Sequence, residues 1–174
     1  TQKMSGVINI QDVKNPIFVA KELMKEDDRV LGGNGAKQYA TKHSFEDFST
    51  EIPQRRKEYE EKLKTGGKGT VGAVAIDKNG KLAVATSTGG KGFEIPGRIS
   101  DSATVAGNYA NKFCAVSCTG VGEDIVSNAT SAKIVTRVTD GISIENAFDR
   151  TFEELKEIDG FAGAYPALAM TALV

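Results

Sequence analysis

A threonine at the mouth of a strand, Thr70, directly follows a glycine, Gly69, and a second strand ends in another hydroxyl run at Thr88. A tight turn between the two strands sets the hydroxyls of Thr70 and Thr88 near each other at one end of a hairpin. A threonine hydroxyl at neutral pH is a poor nucleophile and needs a nearby base. The base guaranteed to be adjacent is the residue's own α-amine, provided the peptide bond to Gly69 has been opened. A free α-amine titrates near about 8, so part of it is unprotonated at neutral pH. Glycine at position 69 assists the opening, because it tolerates strained backbone angles and leaves its carbonyl open to the Thr70 hydroxyl. The product of that attack is an ester that water cleaves. A Gly-Thr strand start is by itself common, so the surrounding pattern must carry the reading.

The strands that would hold these residues are legible. Thr70 to Ile76 has apolar residues on both faces, which predicts a strand covered on both sides. Asp77-Lys78-Asn79-Gly80 is a hairpin turn, and Leu82 to Thr86 is the partner strand. A Gly-rich loop, Gly89 to Gly97, leads to Arg98-Ile99-Ser100-Asp101. Phe113 to Ser117 predicts a buried strand, and Thr119-Gly120-Val121-Gly122 turns the chain into a helix from about Glu123 to Val138. Ile125, Ala129, Ala132 and Val135 share one face of that helix, which stops at Asp140-Gly141. Ser143 caps a further helix to about Lys156 with Ala147, Phe148, Phe152 and Leu155 inward.

Ahead of Thr70, Gly6 to Ile10 alternates like a strand that begins without lead-in, and Asn15-Pro16 opens a helix. Arg29 to Leu31 is a short strand, Gly32 to Gly35 a turn, and Ala36 to Lys42 a short helix. Residues 44–69 are polar, with a charged, helix-permissive run from Arg55 to Lys64 and a Gly-rich end, and are expected to form a mobile linker. Phe161 to Val174 starts a final strand with no partner strand in view, so the chain is expected to be partial.

Bulk properties narrow the classes. The 174 residues are 40% hydrophobic, enough for one domain with a core. A net charge of −1 gives no general attraction to nucleic acid or to an anionic membrane. The apolar runs are too short and Gly-broken to span a bilayer. The two cysteines, Cys114 and Cys118, suggest neither a disulfide framework nor a zinc site, and the expected setting is reduced and cytoplasmic. His43 is the only histidine, and its surroundings read as an exposed loop, which disfavours a Ser-His-Asp triad.

Several spaced segments occur in order: Thr70-Val-Gly-Ala-Val, Thr86-Ser-Thr88-Gly-Gly, Pro96-Gly-Arg98-Ile-Ser-Asp101, Tyr109-Ala-Asn and Cys114-Ala-Val-Ser-Cys-Thr119-Gly120-Val-Gly122-Glu123. This series resembles the plant-type L-asparaginase and isoaspartyl aminopeptidase family of N-terminal nucleophile hydrolases. The resemblance runs from Asn15-Pro16-Ile17 and the Gly33-Asn34-Gly35-Ala36 turn to about Gly163. It implies an α/β fold in four αββα layers, with residues 1–69 ending the α fragment and 70–174 forming the β fragment of one domain.

By the resemblance, Gly69–Thr70 is the cleavage site, Thr70 the nucleophile, and Thr88 the threonine that bonds it. Arg98 clamps the substrate α-carboxylate and Asp101 the α-amine. Thr119 and Gly120 stabilise the oxyanion, and Gly122 lines the substrate site. The chemistry is consistent with these roles. A zwitterionic headgroup needs one cation and one anion close together, and arginine's planar fork suits a carboxylate. Backbone N–H groups at a helix entry suit an oxyanion. The ordinary readings are a surface Arg/Asp pair, a helix-entry turn at 119–122, and a packed thiol at Cys118.

The implied substrates are asparagine and β-aspartyl dipeptides. The implied partners are the chain's own cleaved fragment and a second two-fragment unit in a dimer, with no nucleic acid or membrane. No cofactor is required for the chemistry; a structural alkali cation, sodium or potassium, is implied with ligands outside this chain. Three features depart from the family: the opening and closing strands lie outside the sequence, one residue fewer separates Asp101 from Tyr109, and residues 164–174 do not resemble a strand-turn-strand. A glycosylasparaginase-type amidohydrolase is the alternative on the same scaffold. Gly69 stands against it where that type has aspartate, as does Thr88-Gly89-Gly90 where it has Thr-Asn-Gly. A processing endopeptidase of the same scaffold would carry long basic insertions. An unprocessed, non-catalytic homologue is the reading from a different class.

Overall fold

The computed structural model describes residues 3–49, 51, 53–54, 56–57, 69–92, 94–157 and the backbone of 169–173. The chain divides into two compact units, Lys3–Gly69 with Gly89–Ile99, and Thr70–Thr88 with Ser100–Val174. One boundary between them is the Gly69–Thr70 junction.

In the first unit, β1 (Gly6–Ile8) and β2 (Val30–Gly32) pair in parallel through the crossover helix α1 (Pro16–Leu23). Proline suits the first position of α1, because its missing N–H is one the first turn leaves unbonded anyway. Val19 and Leu23 of α1 are fully buried, and Val19 clusters with Val13 and Ala40. Helix α2 runs Gly33–Lys42, so Gly33, Asn34 and Gly35 form its first turn and not a separate turn before it. His43 closes α2 half-buried, its ring stacked on Tyr39 at 4.0 Å, in place of the expected exposed loop. The segment expected to link begins attached to this unit: the Phe45 N–H donates to Ala40 O, the Phe48 N–H to Asp12 O, and Val13 bridges Asp47. Most of 50–68, including all of the run from Arg55 to Lys64 except Arg56 and Lys57, lies outside the described residues.

The second unit is layered. Its first layer is the antiparallel hairpin of β3 (Thr70–Ile76) and β4 (Leu82–Thr88), in register from Thr70↔Thr88 to Ile76↔Leu82. Asp77 holds the turn: its carboxylate accepts the N–H of Lys81 at 2.9 Å and of Asn79 at 2.7 Å, which keeps its carboxyl below the usual range. Gly80 follows with φ +75, a left-handed conformation that glycine adopts without a Cβ clash.

The second layer is an antiparallel sheet ordered β5 (Asn108–Ala110), β6 (Ala115–Thr119), β7 (Ala169–Leu173). Strand β6 starts two residues later than the sequence suggests. The Asn111 side-chain oxygen accepts the N–H groups of Phe113 and Cys114, which spends those residues on the turn out of β5. Strand β7 does find a partner, pairing with β6 from Thr119↔Ala169 to Ala115↔Leu173. The expectation of an unpartnered closing strand is therefore corrected.

Helices α3 (Gly122–Asn128), α4 (Thr130–Thr139) and α5 (Ile144–Lys156) form the third layer. The single helix expected over 123–138 is broken at Ala129, which sits at φ +50, ψ +43. Asn128 enforces the break. Its buried side chain donates to Thr151 O at 3.3 Å and accepts from Lys133 Nζ at 2.6 Å, tying the end of α3 to α5 and α4. After the break the buried face is Thr130, Ser131, Ile134 and Val135, while Ala129 and Ala132 are only half-buried.

Ser143 caps α5 as expected, accepting the Asn146 N–H at 3.3 Å. Val116, Cys118, Ile125, Ile134, Val135 and Ala147 make one core between the sheet and the helices. Each fully buried aliphatic side chain there contributes about 1.5–3 kcal/mol, so this core anchors β6. Glu154 joins α4 to α5 through Lys133 at 3.0 Å and through Arg137, and the Lys133 bond first holds its carboxyl below the usual range. The outer face of the hairpin differs from expectation: Val71 is 72% exposed, not covered.

Candidate functional site

The hairpin register places Thr70 opposite Thr88, and the Thr70 hydroxyl donates to the Thr88 hydroxyl at 3.2 Å. Thr70 is half-buried and Thr88 exposed. The first residue of a strand therefore has its side-chain oxygen held by a second hydroxyl, and the Gly69–Thr70 junction enters the hairpin at that point. Oriented in this way, a hydroxyl can be positioned for attack and its proton passed to a neighbour.

A second grouping forms around Asp101, which is 6% exposed in the 3-10 turn Asp101–Ala103. The Ser100 hydroxyl donates to Asp101 Oδ1 at 3.1 Å, and Thr104 donates to its carbonyl through both N–H and hydroxyl at 2.8 Å. Two glycines close the cradle. A Cβ on Gly122 would lie 2.5 Å from Asp101 Oδ1 and 1.8 Å from Ser100 Oγ. A Cβ on Gly107 would lie 2.5 Å from the Asp101 carbonyl. Gly107 is held from the other side, because its carbonyl accepts the Cys118 N–H at 2.8 Å. The carboxylate is thus built into a fixed position beside the start of α3.

Thr119 ends β6 and Gly122 begins α3. Between them Gly120 has φ +154, a conformation for which only glycine is suited, so the turn from strand to helix depends on it. Arg98 lies in the 89–99 segment of the first unit, half-buried, with its N–H donating to Ile95 O at 3.0 Å. Gly69 belongs to the first unit as well. The structure thus joins Thr70 with Thr88, and Asp101 with Gly122. It sets Thr119 and Gly120 on the strand-to-helix turn that leads to Gly122.

Ser100, Gly107 and Thr104 were not singled out from the sequence. The one available signal was a serine directly before the aspartate, a common arrangement at the start of a turn.

Cys118 is 1% exposed, and burial first pushes its thiol up to about 11, with the Asp101 charge adding to the effect against a bond from Ser131. At pH 8 only about one thiol in a thousand would be ionised. The native protein is therefore expected to resist iodoacetamide at pH 8 and to keep full activity. Rapid labelling of Cys118, or inactivation by it, would contradict a packing role. Among the described residues no group of three or more His, Cys, Asp or Glu is placed to hold a metal ion. No helix among them is long and apolar enough to cross a membrane.

Comparison with known proteins places the chain among described relatives. The family model described as Asparaginase matches residues 1–68 and 49–170. The chain is 45% identical to an isoaspartyl peptidase/L-asparaginase of Nostoc sp., across 87% of this chain and 54% of that protein. It is 36% identical to an isoaspartyl peptidase of Escherichia coli, across 94% of this chain and 58% of that protein. A plant-type L-asparaginase of Pyrococcus abyssi is 32% identical across 88% of this chain and 57% of that protein. The chain spans about half the length of the curated relatives it matches. With a family model covering both sides of the Gly69–Thr70 junction and such relatives along most of its length, this chain belongs to the Asparaginase family.

Proposed function

We propose that the protein carrying this chain is a self-cleaving threonine hydrolase that releases aspartate from L-asparagine and from β-aspartyl dipeptides. The observation that carries the reading is the 3.2 Å bond between Thr70 and Thr88 at the head of the hairpin, directly after Gly69, in a member of this family. Relatives named isoaspartyl peptidase/L-asparaginase support the substrate class.

In maturation the Thr70 oxygen attacks the Gly69 carbonyl carbon, the C–N bond breaks, and the acyl group passes to oxygen. Water then cleaves the ester, leaving a carboxylate on Gly69 and a free amine on Thr70. In turnover that amine accepts the hydroxyl proton as the oxygen attacks the substrate's side-chain carbonyl. Thr119 and Gly120 steady the oxyanion. The nitrogen leaves with a proton, as ammonia or as the amine of the second amino acid. Water opens the β-aspartyl ester and restores Thr70. By the resemblance Arg98 takes the substrate α-carboxylate and Asp101 its α-amine; their spacing of three residues in the sequence suits a zwitterion, and the built cradle around Asp101 supports its own share.

A dimer of the two-fragment unit and a reduced, cytoplasmic setting complete the reading; both cysteines are free and buried, as that setting suits. The test is a substrate panel on the purified full-length protein. Aspartate is expected from asparagine and from a β-aspartyl dipeptide. Hydrolysis of a glycosylated asparagine alone, or of none of the three, would contradict the proposal.

A further inference from the structure

Side chains alternate along a strand, so Thr70 and Gly72 share one face of β3, and Thr86 and Thr88 share the same face of β4. That face meets β6 closely at Ser117. A Cβ on Gly72 would lie 2.2 Å from Ser117 Oγ and 2.9 Å from Ser117 Cβ, so Ser117 occupies the space a side chain at 72 would take. The Ser117 hydroxyl also bonds Thr86, opposite Gly72, at 2.8 Å. Ser117 is 4% exposed, a polar residue in a strand otherwise packed on its neighbours. On β6 it stands two residues before Thr119, on the same face. The contact is therefore one side-chain repeat, about 7 Å, from Thr70 along one strand and from Thr119 along the other.

We infer that Ser117 is a positioning residue for the reaction: inserted over Gly72 and bonded to Thr86, it sets the hairpin that bears the nucleophile against the strand that bears the oxyanion donors. Apolar packing at this point would be non-directional and would allow the two layers to slide. A hydrogen bond is directional and fixes the lateral register. Thr86 is a suitable partner because branching at Cβ restricts its rotamers. The role rests on the activity proposed above.

The test compares variants of the full-length protein. Ser117→Ala and Thr86→Val each remove the bond without adding bulk. A misplacement of about 1 Å costs on the order of 100-fold in rate, so kcat is expected to fall about 10- to 100-fold per mature active site with KM nearly unchanged. Gly72→Ala should fall further, and Gly72→Ala combined with Ser117→Gly should regain at least about tenfold, because the second change vacates the space the first one needs. Should Gly72→Ala fail to fold, the two hydroxyl variants decide. Wild-type kcat in both, with only the melting temperature lowered, would overturn the positioning role while leaving the activity intact. A wild-type protein inert toward both substrates would instead overturn the proposed activity, and the positioning role with it.

Discussion

Thr70→Ala is expected to accumulate as one uncut chain and to lose hydrolysis of asparagine and β-aspartyl dipeptides by at least about 10,000-fold, the scale seen when a nucleophile is removed. Both losses have one cause. In the proposed mechanism the hydroxyl that opens the Gly69–Thr70 bond is the hydroxyl that later attacks substrate, so no other group retains half of the function. The fold should survive, because the side chain gives up one hydrogen bond, to Thr88, worth about 1 kcal/mol at a partly exposed site. Thr70→Ser keeps the oxygen and should keep both cleavage and turnover. Intact mass and ammonia release measure the two effects. An alanine variant that still released ammonia at a rate near the wild type's would remove Thr70 from the mechanism.

Gly122→Ala is expected to raise KM for asparagine by about 10- to 100-fold, the loss that follows when a charge-assisted hydrogen bond of about 1.5–3 kcal/mol is weakened. Two opposite effects act at this position. Alanine in place of glycine would by itself favour the helix, by less than the ~1 kcal/mol of a helix interior because Gly122 is the first residue of α3. The added methyl, however, would lie 1.8 Å from Ser100 Oγ and 2.5 Å from Asp101 Oδ1, in a cradle that Gly107 closes from another side. Overpacking of this kind costs about 1–3 kcal/mol. The steric effect therefore wins, and it displaces the carboxylate proposed to hold the substrate α-amine. Steady-state kinetics and the melting temperature separate the outcomes. A lowered melting temperature with unchanged KM would show that Asp101 does not hold the substrate.

Much of the hairpin is legible in the sequence. Alternation over 70–76 and 82–86, and the Asp77-Lys78-Asn79-Gly80 turn between them, mark both strands and their register, because each signal is local, and β4 runs two residues further, to Thr88. The pairing of Thr70 with Thr88 follows from that register. Gly122 beside Asp101 is suggested only by family resemblance, since the contact joins Asp101 to a helix that starts 21 positions on. The break at Ala129 was not readable: no glycine or proline marks it, and it depends on Asn128 reaching Thr151 across the helical layer. The same holds for Ser117 over Gly72, two unremarkable residues until β6 is laid under β3. The glycines at 33 and 35 suggested a turn because glycine permits one, yet they serve as the first turn of α2. Apolar residues on both faces of β3 suggested cover on both sides, but periodicity says nothing about which element would supply it.

The central claim is that one residue, Thr70, supplies both the attacking oxygen and, through a freed amine, the base. Intact-mass measurement with N-terminal sequencing of protein that is actively turning over asparagine tests it most directly. The account predicts two fragments, the second beginning at Thr70 with an unmodified α-amine. Full activity in protein whose Gly69–Thr70 bond is still closed would contradict it.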